Sequence, residues 1–166
     1  MGDVSTIGAF LDKLAGLLQD RQGLRGVAVY TAQVADPALL GAEHIVLAVE
    51  PIDDEYQYLV GTPQQRIDER YQVDCYCISA AAIPPTKTEA DTIKTARDRT
   101  LAILKEVYDQ LRESNVTTVV TEGALGVNDA RITRLKMTQA INDEPFARIC
   151  EVRFTIRVKA TFTPAD

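Results

Sequence analysis

The sequence predicts an α+β domain: a mostly antiparallel sheet with a long C-terminal β-hairpin and two helices packed on one face. Three observations lead there. From Phe146 to Thr163, the residues Phe146, Cys150, Val152, Phe154, Ile156, Val158, Ala160 and Phe162 alternate with Glu151, Arg153, Thr155, Arg157, Lys159 and Thr161, the period of a strand buried on one face. Similar alternation returns from Arg66 to Ser79 and from Arg131 to Ile141. Two further stretches carry apolar residues at helical spacings of three and four. Strands buried on both faces would read as continuous apolar runs, so alternation on every long strand places the helices on one side.

The 166 residues are expected to form one domain, spanning positions 1 to 166, and 46% hydrophobic content is enough for a core. A net charge of −6 favours solubility and argues against non-specific nucleic-acid binding, which depends on basic patches neutralising phosphates. The only basic stripe is the solvent face of the last strand. Asp3 replaces a basic leader, and no run approaches the roughly 18 apolar residues of a membrane span. The chain is therefore expected to fold in the cytoplasm, with no membrane partner.

In chain order, Ser5 or Thr6 can cap a first helix with Ile7, Phe10, Leu11, Leu14, Leu17 and Leu18 on its core face, ending near Gly23. Val27 to Tyr30 reads as a short strand, with Gly26 permitting a tight entry. Ile45 to Val49, bounded by Gly41 and Pro51, is too short for an independent helix and reads as another strand. From Asp53 to Pro63, charge, two tyrosines and turn residues mix. This stretch is either an excursion whose Tyr56 and Tyr58 meet a partner or a continuation of the sheet through Tyr58 and Val60.

Ile67, Tyr71, Val73, Cys75 and Cys77 then line one side of a long strand ended by Pro84-Pro85. Thr88-x-x-Asp91 supplies a capping box for a second helix, from about Glu89 to Glu113, with an apolar stripe of Ile93, Leu101, Leu104, Val107, Tyr108 and Leu111. Val116 to Val120 is β-branched and strand-like. Leu135, Met137, Gln139 and Ile141 oppose Arg134, Lys136 and Thr138, and Asn142 to Pro145 turns this strand into the last one. Arg148 is the only break in the final apolar row.

Residues able to do chemistry are few. His44 is the single histidine, so neither a multi-histidine metal site nor a conventional triad can be assembled around it. Cys75 and Cys77 are two apart on one strand face and Cys150 is distant, a spacing that fits neither a redox motif nor zinc. They read as buried free thiols. The carboxylate groups Asp53-Asp54-Glu55, Asp68-Glu69 and Asp143-Glu144 read as solvated charge. Gly23-Leu24-Arg25-Gly26 lacks the ending of a phosphate-binding loop. The chain is expected to be no enzyme and to hold no cofactor or metal.

Shape remains. A hairpin longer than one helix can cover leaves apolar surface exposed, and a long unpaired edge strand invites uncontrolled pairing. Closure of subunits into a ring removes both liabilities. Otherwise, a curved sheet and a long helix could enclose a pocket, which makes a small-molecule carrier the alternative; a large apolar cavity between helix and sheet would favour it.

The order of elements resembles the tail terminator proteins of long-tailed bacteriophages and their related neck and tail-completion proteins. The resemblance rests on the leucine-rich first helix, the V-x-V-Y strand, the apolar strand near His44, R-x-x-E-R-Y-x-V-x-C-Y, the long charged helix and E-V-R-F-T-I-R-V-K-A-T-F. It spans nearly the whole chain, Asp53 to Gln65 excepted, and is one of pattern. It implies a virion protein of the tail and neck, assembled in the bacterial host cytoplasm. Such a protein forms a homo-oligomeric, hexameric ring on the phage tail tube protein, stops tube growth and meets the head-tail connector protein. DNA passes through the ring without specific recognition. On this resemblance Phe154, Ile156, Val158 and Phe162 are shared between core and neighbouring subunit, and Tyr56 and Tyr58 make contacts along the tail axis. Ile156→Asp should then abolish folding, while Phe162→Asp should spare the monomer and break the ring.

Overall fold

The computed structural model describes residues 5–34, 43–59, 66–82, 88–113, 127–143 and 146–162. The strand expected at Val116 to Val120 and the stretch from Val60 to Gln65 lie outside them. Helix α1, Ile7–Gln19, buries Phe10, Leu11, Leu14, Ala15 and Leu18. A 3-10 turn at Gln22–Leu24 follows, and Gly26, at φ 84°, makes the left-handed step into β1, Ala28–Tyr30.

Strand β1 runs parallel to β2, Glu43–Val46, and β2 pairs antiparallel with the C-terminal half of β4, Arg66–Ala82. On the same side of β4, its N-terminal half pairs antiparallel with β3, Asp54–Leu59. Thus the tyrosine-bearing stretch continues the sheet over these residues instead of leaving it. Strand β6, Phe146–Phe162, lies along the other side of β4, and β5, Val127–Asp143, lies outside β6 as the second arm of the hairpin. The order is β1-β2-β4-β6-β5, mostly antiparallel, with both helices contributing to the core on one face.

Helix α2, Glu89–Glu113, begins at the expected box: Thr88 Oγ1 accepts from the Asp91 amide at 3.2 Å and donates to Asp91 Oδ2 at 2.8 Å. Ile103, Leu104, Val107 and Leu111 reach the core beside Phe10, Leu14 and Leu18 of α1. Opposite them stand Tyr71, Val73, Cys75 and Cys77 of β4 and Val152, Phe154, Ile156, Val158 and Ala160 of β6. The fold class and the terminal hairpin are therefore those the alternation predicts.

Where α2 lies across the sheet decides what stays uncovered. Three strands of 17 residues reach about 56 Å each at about 3.3 Å per residue, while the 25 residues of α2 span about 37 Å. The helix packs on β4 and β6, leaving much of β5 bare. Within β5 a register shift between Ile132 and Arg134 lets Ile132 and Leu135, three apart, share the helix-covered face. Arg148, on that face opposite Ile141, is buried, and its guanidinium pairs with Glu89 in the first turn of α2. That ion pair is how the apolar row accommodates its one charged member.

Candidate functional site

His44 and the three cysteines lie on opposite faces of the sheet and form no histidine–thiol pair. Cys77 stands opposite Val152 and Ile45 on the helix-covered face, with Cys75 and Cys150 in the same row. His44 pairs with Ile78 on the other face, its ring 5.6 Å from that of Tyr76 at a steep angle. All three thiols are free and buried. Burial pushes Cys75 and Cys77 up to about 12 and raises Cys150, so none is a thiolate nucleophile near neutrality. Among the described residues no group of three histidine, cysteine or acidic side chains could hold a metal, and no helix is long and apolar enough to cross a membrane.

One carboxylate pair departs from the sequence reading. Glu69, expected to be solvated, is 0% exposed, because position 69 shares the helix-covered face with Tyr71 and Val73 and lies where the chain enters α1. Its Oε1 and Oε2 accept from the Thr6 amide at 3.2 and 3.0 Å, and Oε2 accepts from Thr6 Oγ1 at 2.6 Å. Ser5 Oγ donates to Glu69 Oε1 and also lies 3.1 Å from Asp54 Oδ2. Tyr71 completes the cluster, its hydroxyl 3.0 Å from Thr6 Oγ1.

A strand carboxylate thus shares the capping of α1 with Ser5, whose Oγ accepts from the Ile7 amide at 3.1 Å. Thr6 occupies the N-cap without making a side-chain cap bond. Negative charge at a helix N-terminus is favourable for the exposed amides there. Burial, reinforced by the neighbouring Glu69, pushes the Asp54 carboxyl up to about 6. With Glu69 enclosed, the cluster is a joint between α1, β3 and β4.

The exposed feature is apolar. Leu135, Met137 and Ile141 of β5 are 59%, 48% and 58% exposed, although all three point to the helix-covered face. Across from them, Leu101 and Tyr108 of α2 are 43% and 51% exposed. Between α2 and β5 runs a groove of about 530 Å³ walled by Leu101, Leu104, Tyr108, Ile132 and Leu135, with Lys105 and Arg134 also lining it. A smaller one of about 140 Å³ continues the face near Ile93, Ala96 and Ile141, beside the Glu89–Arg148 pair. Large side chains left exposed in one row, beside a helix that packs over β4 and β6 rather than over them, form a surface suited to protein contact.

The residues singled out from sequence divide between core and surface. Phe154, Ile156 and Val158 are at most 2% exposed and belong to this chain's own core. Phe162 is buried too, its ring 6.4 Å from that of Tyr56. Tyr56 is 45% exposed on β3; Tyr58 lies two residues further along the strand, and its side chain is outside the described residues. The surface row Leu135, Met137 and Ile141 was visible as alternation, and only the sheet order reveals it as uncovered. Leu101 and Tyr108 carried no sequence signal that separates them from the core stripe of α2.

No family model matches the chain, and no curated protein matches it. Among solved structures the fold is similar to a chain in the virion of native gene transfer agent (GTA) particle, at 16% identity and a TM-score of 0.48, covering 95% of this chain and 100% of that one. At that level the likeness carries nothing about function.

Proposed function

We propose that this chain is a structural virion subunit that forms a ring, caps the phage tail tube, stops its polymerisation and joins it to the head-side connector. The observation that carries the reading is the bare apolar row of β5, Leu135, Met137 and Ile141, on a 17-residue strand at the end of the sheet. A folded monomer gains nothing from such a row, whereas a ring contact buries it. The element pattern shared with tail terminators supports the tail-tube assignment. The chemistry is binding without catalysis: one ring face complements the tube, and the other differs enough that no further tube ring adds.

The small-molecule carrier fits less well. The groove between α2 and β5 is large enough for a ligand, but three of the residues that wall it, Leu101, Tyr108 and Leu135, are among the most exposed apolar ones described. Ligand sites of that size usually enclose most of the ligand.

The test is native mass spectrometry of the purified chain with and without a tail-tube protein from the same genome. A ring of one stoichiometry that blocks tube elongation is the expected result. A strict monomer that neither binds nor caps tubes contradicts the reading.

A further inference from the structure

We propose that neighbouring copies join edge to edge, β3 of one copy against β5 of the next, so that the sheet runs on from subunit to subunit. The proposal rests on the ring reading above and assigns the two surfaces that close the ring. Among the described residues these are edge strands on opposite sides of the β4–β6 pair: β5 outside β6, and β3 beside the N-terminal half of β4, on the side away from β6, while β2 and the end strand β1 flank the other half. Among the described residues neither pairs with a second strand, so each has an outer edge that another strand can join.

The two edges match face by face. On the helix-covered face β5 offers Leu135, Met137 and Ile141, and β3 offers Tyr56, placed there by its pairing with Glu69. On the open face β5 offers Arg134 and Lys136, both exposed, with no acidic residue between Ala130 and Ile141. There β3 offers Glu55, which pairs with Arg70, and Asp53 just before the strand; both are exposed and line one open-face groove. Residues i and j of neighbouring strands that share a face lie side by side. Continuing the sheet across copies therefore sets aromatic against aliphatic on one face and acid against base on the other.

Self-pairing of either edge lacks this match. Two β5 edges would bring Arg134 and Lys136 against their own copies, and two β3 edges would do the same with Asp53 and Glu55. Like charges directly opposite destabilise a strand pair. That disfavours a two-fold dimer and favours a head-to-tail contact, the kind that closes rings.

The experiment is charge reversal, read by native mass spectrometry of the full chain with its tail-tube protein. Asp53→Lys with Glu55→Lys reverses one edge, Arg134→Glu with Lys136→Glu reverses the other, and the fourfold variant carries both. All four positions are exposed, and a thermal melt matching the wild type checks that each variant folds. Each one-edge variant is expected to lose the ring at concentrations ten-fold above those at which the wild type assembles, and the fourfold variant to regain it. Wild-type rings that both one-edge reversals leave intact, or a folded fourfold variant that stays dissociated, overturn the edge assignment while the ring reading stands. A wild type that remains monomeric beside the tube protein overturns both.

Discussion

Glu69 is where the molecule places a charge in its interior and satisfies it. The carboxylate accepts from the Thr6 amide, the Thr6 hydroxyl and the Ser5 hydroxyl, tying the start of α1 to the sheet. Glu69→Ala leaves those donors without their acceptor and should cost about 3 kcal/mol, read as a lower urea midpoint at unchanged m-value. Its neighbour Asp54 gives a pH dependence of definite sign. The folded carboxyl titrates at about 6 against an ordinary 3.8, so the native state binds this proton more tightly than the unfolded chain does. The stabilisation is fully present below the unfolded value and is lost as pH rises through about 6. Melting temperatures taken between about pH 4 and about pH 8 should therefore fall across that window in the wild type and stay flatter in Asp54→Asn. Equal slopes in the two proteins would remove Asp54 as the cause. Nothing in the spacing of Asp68-Glu69 distinguishes this pair from solvated charge. What buries it is the parity of position 69 on β4 together with a helix start 63 residues earlier, a tertiary coincidence.

At the scale of elements, alternation made the long strands legible, and the capping box placed the start of α2. It did not distinguish a covered row from a bare one. Strand β5 carries the same pattern as β6, yet β6 lies between two strands under α2 and β5 lies at the end of the sheet. The roles foreseen for the two arms consequently shift. Ile156→Asp puts a charge at a position with 0% exposure and should abolish cooperative unfolding, as the sequence suggests. Phe162→Asp, expected from sequence to spare the monomer, instead removes a buried ring packed near Tyr56 and should destabilise it by about 3 kcal/mol. Leu135→Ser and Met137→Ser, on the bare arm, should change monomer stability by no more than about 0.5 kcal/mol and weaken self-association. Paired urea melts and sedimentation runs separate the two classes of variant. A Leu135→Ser protein that loses stability like Phe162→Asp would place that side chain in the core. The stretch around Tyr56 resisted reading for a different reason: its six-residue pairing with β4 depends on partners that lie beyond Val60 to Gln65, and no periodic signal in Asp54 to Leu59 outweighs its charge.

The sheet is longer than the helices, with an apolar row and basic side chains along its β5 edge and an exposed tyrosine with acidic side chains along its β3 edge. The proposed head-to-tail ring uses that asymmetry. The central claim is that the chain acts as a ring on a tail tube, and one measurement addresses it most directly: native mass spectrometry of the wild-type chain mixed with its tail-tube protein, followed by addition of further tube subunits. A single closed oligomer of the chain, bound to tubes that no longer lengthen, is the predicted result. A chain that stays monomeric while tubes grow at their normal rate would contradict it.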